Sequence, residues 1–565
     1  MQRISVKHGP ARAVLVLFGK AVLAVSLAAI NAAPALADRG DVQSWRAYLR
    51  GRAAIGNDRL DEAATQLQTA LQAAPDNRLL RQRAFGLALL AGNEAQAVAL
   101  ARTLAAQGVS GFDTRLMLLV DAVKKRRWDQ AQTLRASMQA DSQLGFALPV
   151  IQAWLDYAGR RGDPLAALST VGRNALANSY ASEHRAFLLG ATGRTDEALT
   201  EYAPLIGGGS GRAIRMRLAA AAMLQHAGRK AQALDMLAGG DPALERARTM
   251  VQAGRPLPTG VGGAAEGLAE LFVRLGADVG QDRYSDAGML LARVSTFLAP
   301  ANAETWLVTA DMLASDGKPA AALRAVEQVP ADDPFADQLS SLRISLLLRL
   351  GRKAEALGIA QAMAGRKQAT GTDWAQLGDV LGTADRQAEA ADAYGRAIAL
   401  TRDPDQLWRL YMVRGGIYER IGQWNRAEPD LRKAVALAPE QPAALNYLGY
   451  ALLDRNQNLD EAQRLIEKAS ALKPSDGAIA DSLAWAHFRR GNYGEAVALL
   501  EKAVQLEPAE PTINEHLGDA YWATGRRFEA RFSWRAALVG ADDRQTSRLR
   551  DKIDFGTPAA DAVAP

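Results

Sequence analysis

Residues 415–439 read GGIYERIGQWNRAEPDLRKAVALAP: Gly415 is followed twelve positions later by Ala427, seven after that by Ala434 and five further by Pro439. The same marks stand at Gly51, Ala63, Ala70 and Pro75, and again at Ala484, Ala496, Ala503 and Pro508. Two packed helices approach closely only where the facing side chains are small, so this spacing sets Gly415 against Ala427, with Tyr418 and Leu431 filling the space around them. Gly422 supplies the turn between the helices, and Pro439 lies beyond the second helix, which it cannot continue.

Taking the first small position as marker, about fourteen copies fall at Gly51, Phe85, Leu119, Leu155, Ala186, Ala221, Gly276, Ala310, Ile344, Gly378, Gly415, Gly449, Ala484 and Gly518. A period near 34 residues is the signature of a helical repeat array. The pattern resembles the tetratricopeptide repeat (TPR) family over nearly the whole chain. The resemblance implies an all-α, right-handed superhelical solenoid of about fourteen helix-turn-helix units. Composition agrees: 48% of residues are hydrophobic but only 6% aromatic, the excess being largely alanine, and no strand-like alternation persists.

Two departures from the period are informative. One extra residue separates Gly449 from Ala462 and falls in the turn Arg455 to Asn458, where asparagine can take the left-handed conformation. A cluster of Gly239, Gly240, Pro256, Pro258, Gly260, Gly262 and Gly263 interrupts the helical pattern at 239–267. It reads as a joint between two blocks, or as a long loop in one superhelix. The chain thus divides into residues 1–37, a degenerate block 38–238, the joint 239–267, middle repeats 268–407, a regular block 408–540, and a capping helix with a disordered tail at 541–565. In the capping helix Arg544, Arg548 and Arg550 are expected to point outward.

Arg3, Lys7, Arg12 and Lys20 precede an apolar run from Ala21 to Ile30, followed by Ala35-Leu36-Ala37. This is the form of a secretory leader cleaved after Ala37, which predicts a periplasmic protein; the alternative is an uncleaved inner-membrane anchor formed by residues 13–30. Removing the leader's four basic residues lowers the formal charge from +5 to +1, so charge gives no support to nucleic-acid binding. The run Lys124 to Arg127 reads as a solvated turn. No cysteine is present, which removes disulfides and the site of a lipoprotein acyl anchor.

Catalytic, cofactor and metal motifs are not found. The histidines after the leader, His184, His226, His487 and His516, show no metal spacing, and Glu515 and His516, adjacent on a helix, point apart. The reading is therefore a non-enzymatic binding protein. Half of all tryptophan and tyrosine lies in 408–540. Tyr411, Tyr418, Trp424, Tyr493, Tyr521 and Trp534 are assigned to the core.

The TPR resemblance turns positions 2, 5, 9 and 12 of each first helix, counting the marker as 8, toward the concave face. In the last three repeats these include Asn446, Tyr450, Asp481, Trp485, Phe488, Glu515, Asp519 and Trp522. Aromatic and amide or carboxylate side chains suit an extended peptide segment, and the absence of cations among them predicts an acidic groove preferring neutral or basic segments. Self-capping by the chain's own tail is the alternative.

The stretches 445–462, 481–504 and 513–538 also resemble the C-terminal repeats of exported bacterial TPR proteins. That group includes adaptor lipoproteins that bring cell-wall hydrolases to a periplasmic carboxy-terminal processing protease. The resemblance implies a periplasmic scaffold or adaptor whose partners are proteins, with a protease or hydrolase among the candidates. Its N-terminal block would hold a second partner. Alternatives are a subunit of an envelope polysaccharide or outer-membrane assembly machine and, in another class, a glycan-processing enzyme with clustered carboxylates in a closed cleft.

Overall fold

The computed structural model describes residues 42–138, 145–171, 175–207, 209–280 and 286–557. Within them are twenty-nine α-helices and no strand. All fourteen marker residues fall in the first helix of a successive pair, and all are buried. The close approach is as the spacing requires: a Cβ on Gly415 would lie 2.9 Å from the Leu431 side chain and 3.2 Å from the Ala427 carbonyl oxygen. Gly422 has φ 74°, and the longer turn before the Leu459–Leu472 helix uses Asn456 and Asn458 at φ 54° and 46° in place of glycine. The six aromatics assigned to the core lie in it or against it.

The repeats fall into two compact units, one ending at Arg352 and one beginning at Lys353. This boundary lies between the Ala336–Arg349 and Lys353–Ala364 helices, far from the Gly/Pro-rich segment read as a joint. Residues 239–267 are built into the first unit instead. They contain the helix Pro242–Gln252, N-capped by the Asp241 side chain and burying Ala243, Leu244, Ala247, Met250 and Val251. The loop after it is tied down: the Thr259 hydroxyl donates to the Leu218 carbonyl at 3.1 Å, and Tyr157 donates to the Gly262 carbonyl at 3.2 Å. A short amphipathic helix was hidden between two runs of glycine and proline. The fourth repeat is irregular too, with only a 3₁₀ turn, Ala167–Val171, after its first helix.

In the first unit the chain closes on itself. The helix Asp286–Leu298 is buried from Gly288 to Leu298, including Arg293, Ser295 and Thr296, and packs on the helices Arg78–Ala91 and Phe112–Lys124. Arg293 donates from Nε and Nη2 to the Leu90 carbonyl at 3.1 and 2.7 Å, and Asp58 accepts from the amides of Ala320 and Ala321. The surface of the second and third repeats that meets this helix is therefore occupied by the chain itself, which takes it from the partner expected on the N-terminal block. In the basic turn, Lys124 pairs with Glu94, while Lys125 and Arg127 pair with Asp121.

The second unit ends in the helix Asp543–Phe555, opened by a capping box between Asp542 and Gln545. The leader, its cleavage site and residues 558–565 of the tail lie outside the described residues. No helix among the described residues is long and apolar enough to cross a membrane.

Candidate partner-binding face

Asp481, Trp485 and Phe488 stand at i, i+4 and i+7 of the Gly477–Arg489 helix and so share one face. The Trp485 indole lies flat between two rings, Phe488 at 4.6 Å and His516 at 4.0 Å, with interplanar angles of 7° and 13°. His516 comes from the next repeat, and its Nδ1 sits 2.9 and 3.0 Å from the two oxygens of buried Asp481. Burial alone would lower the His516 pKa, but the Asp481 carboxylate outweighs it and raises the value above the ordinary one. An imidazolium held in this way also gains from the indole face beneath it.

This pair makes stability depend on pH with a definite sign. A histidine whose pKa is raised by folding contributes fully below its unfolded value of about 6.5, and the contribution is lost as pH rises through the folded value. Melting curves should show the second unit less stable at pH 9 than at pH 6, and Asp481→Asn should flatten that dependence. A slope unchanged by Asp481→Asn would rule out the pair as its source.

Glu515, Asp519 and Trp522 repeat the i, i+4, i+7 spacing one repeat later, on Pro511–Ala523, but they do not line an open groove. The terminal helix covers them. Arg548 makes a bidentate pair with Glu515 at 2.7 Å on each arm, and Lys552 bridges Glu515 at 2.8 Å and Asp519 at 2.6 Å. Trp522 donates to the Thr557 carbonyl at 3.1 Å, and Gly556 packs on its ring. Burial pushes the Glu515 carboxyl up, yet Arg548 and Lys552 hold it below the usual range, whereas Asp519 is raised, chiefly by burial.

The expected acidic groove is thus corrected on two counts. Its distal end is self-capped, and Asp481, Glu515 and Asp519 are matched by His516, Arg548 and Lys552. Arg544, Arg548 and Arg550 are all exposed, and Arg548 reaches Glu515 from that exposed position. Comparing equivalent positions missed these cations because each comes from the first helix of the next repeat or from the terminal helix that stands in its place; the signal was present in basic residues about one repeat downstream. Asp481 is engaged by His516, while Glu515 and Asp519 share Lys552 beneath the terminal helix.

Asn446 and Tyr450, on the Pro442–Asp454 helix, are partly buried. The Tyr450 hydroxyl is pushed up to about 12, first by burial and then by the charge of Asp481. The Asn446 Oδ1 is enclosed and accepts no hydrogen bond among the described residues.

A second polar cluster, in the first unit, was not anticipated. Glu270, fully buried, accepts from Arg215 Nε at 3.1 Å and Asn302 Nδ2 at 2.7 Å, with Arg212 Nη1 at 3.4 Å. Arg212 also pairs with Glu183, and Glu304 lies 3.3 Å from Arg215. His184 accepts from Trp154 Nε1 at 3.0 Å and is held neutral, its pKa lowered by burial to about 3. Charges set inside otherwise apolar runs, Arg215 in AIRMRLAAAA and Glu270 in GLAELFVRLG, were the signal.

Three segments match models of the repeat: residues 486–525 match one described as TPR repeat, and residues 290–371 and 412–477 match one described as tetratricopeptide repeat. These segments of the chain are TPR repeats. A TPR repeat-containing protein of Pseudomonas aeruginosa is 38% identical over 113 residues, which span 20% of this chain and 19% of that relative. A TPR protein from Parabacteroides merdae has a crystal structure that aligns with 43% of this chain and 95% of its own, at 16% identity and a TM-score of 0.37. The structure of the APC/C hetero-tetramer Cut9–Hcn1 aligns with 92% of this TPR chain and 97% of its own, at 14% identity and a TM-score of 0.37.

Proposed function

We propose that this TPR protein is a binding scaffold that receives an extended segment of a partner protein on the first-helix face from Asn446 to Trp485. The observation that carries the reading is the pair Asn446 and Tyr450, one turn apart on the Pro442–Asp454 helix, both partly buried and both outside the end covered by the terminal helix. An amide suits a peptide backbone, and tyrosine supplies rigid contact area at low entropic cost. Since the neighbouring carboxylates are neutralised from within, shape and backbone hydrogen bonding rather than charge set the preference here.

The leader-like residues 1–37 support a periplasmic site of action. There, the likeness of the C-terminal repeats to TPR adaptors supports a role in bringing envelope proteins to a processing protease. The test is selection of peptides from a display library on the chain, followed by affinity measurement on Asn446→Ala/Tyr450→Ala. Loss of about tenfold or more in affinity, with the melting temperature unchanged, is expected. Equal binding by the double variant would move the site elsewhere.

A further inference from the structure

The helix Arg527–Ala537 packs Ala530, Ser533, Trp534 and Ala537 into its own repeat. Along another face run Phe528, Phe532, Arg535 and, just beyond the helix, Val539, spaced i, i+4, i+7 and i+11. Phe528 is 73% exposed, Phe532 55% and Val539 91%. The two phenyl rings meet edge to face at 4.9 Å, and the Arg535 guanidinium lies 6.0 Å from the Phe532 ring.

The chain supplies its own control for this stripe. Counting from the marker residue, the corresponding positions are Gly494, Ala498, Glu501 and Gln505 in the preceding repeat, and Asn425, Pro429, Arg432 and Ala436 in the repeat of Gly415. The repeat packs well with small or polar side chains there. Two exposed phenylalanines are therefore not required by the fold, and a solvent-facing apolar patch of this kind marks an interaction surface.

Charge identifies the occupant. Arg527, Arg531 and Arg535 belong to the same helix, and none is ion-paired with a carboxylate among the described residues; its one acid, Glu529, is taken by Arg526 at 3.1 Å. Arg527 and Arg531 each lie 5.2 Å from the Trp522 ring. A second copy laid face to face on this stripe would bring arginine against arginine. A partner with acidic residues flanking an apolar ridge meets both features. The stripe follows helical spacing over about 16 Å, so a helix laid along it can interdigitate with the phenyl rings.

We infer that the Phe528–Phe532 stripe is a second docking surface, for an acidic amphipathic helix of a partner protein. It is independent of the Asn446–Tyr450 face, since it lies on a second helix and shares no residue with it.

The experiment selects from a library of helical peptides with apolar residues at i and i+4 and randomised flanks, displayed against the full chain and counter-selected against Phe528→Ser/Phe532→Ser. Both side chains are mostly exposed, so the variant should fold, and unchanged melting establishes that it does. The expected result is enrichment of Asp and Glu in the flanks. Selected peptides should bind the double variant about tenfold or more weakly and lose affinity with Arg535→Glu. Flanks enriched in Lys and Arg, or equal binding by the variant, would overturn the inference. So would a wild-type dimer in sedimentation that the double variant converts to monomer, or flotation with anionic phosphatidylglycerol vesicles that the variant abolishes, since each assigns the stripe a different occupant.

Discussion

Replacing Glu270 with alanine is expected to destabilise the first unit by about 3–5 kcal/mol, the range for removing one partner of a buried ion pair. Glu270 and Arg215 are essentially inaccessible to solvent, and Arg215 would keep only the Thr259 carbonyl at 3.0 Å and the outlying Glu304. Burial acting alone would raise the Glu270 pKa, but Arg215 and Arg212 bring it below the ordinary value, so the group removed is a carboxylate on which two guanidiniums depend. Glu304 moderates the loss. Its own pKa is raised by burial and by the charge of Glu270, and with Glu270 gone it ionises more readily and compensates Arg215 in part.

Two further variants separate charge from shape. Glu270→Gln keeps an acceptor for Asn302 and removes only the charge, while Arg215→Met/Glu270→Leu removes both ions and should recover much of the stability. Denaturant unfolding of all three, followed by a probe in the first unit, decides the matter. A cost below about 1 kcal/mol for Glu270→Ala would show that the cluster does not hold the helices together.

Trp534→Ala should weaken the second unit by about 3–5 kcal/mol, as large-to-small changes of buried tryptophan do. Trp534 is completely buried, and it fills the space opened by a glycine: a Cβ on Gly518 would lie 2.3 Å from the indole. Its Nε1 donates to Asp519 at 2.9 Å, and its ring lies 5.5 Å from that of Trp522. The truncation therefore opens a cavity and removes a donor from a carboxylate that burial already disfavours. Because Lys552 holds the cap through Asp519, hydrogen exchange in 543–555 should quicken together with the fall in melting temperature. Melting indistinguishable from the wild type would refute the packing role. Phe532→Ser, on the exposed side of the same helix, should stay within about 0.5 kcal/mol.

These expectations change how the aromatics of the last repeats are read. Trp485 and Trp522 stack and hydrogen-bond within the repeat array, so a variant losing both would confound folding with partner capture. Asn446 and Tyr450 are the cleaner probes, being only partly buried and outside the capped end.

Much of the candidate face was legible because lateral neighbours in a repeat array stand about one repeat apart. Asp481 meets His516, 35 residues on, and Glu515 meets Arg548, 33 residues on. Aligning the repeats placed the carboxylates on one face; carrying the alignment into the capping helix would have placed their cations as well. The first unit offered no such route. Arg293 reaches Leu90 across 203 residues, and Glu270 reaches Arg215 across 55, separations unrelated to the period.

By itself, the amino-acid order determined the helix pairs, their register and their turns, because each depends on contacts between residues twelve to twenty positions apart: Gly415 against Ala427 and Leu431, Asn458 in its turn. Tertiary structure alone decided which faces stay open. Small rotations between successive repeats accumulate along the array, and only their sum brings Asp286–Leu298 onto the second and third repeats and the final helix onto Glu515 and Trp522. A face that looks free in any single repeat is closed by a segment that the local pattern does not specify.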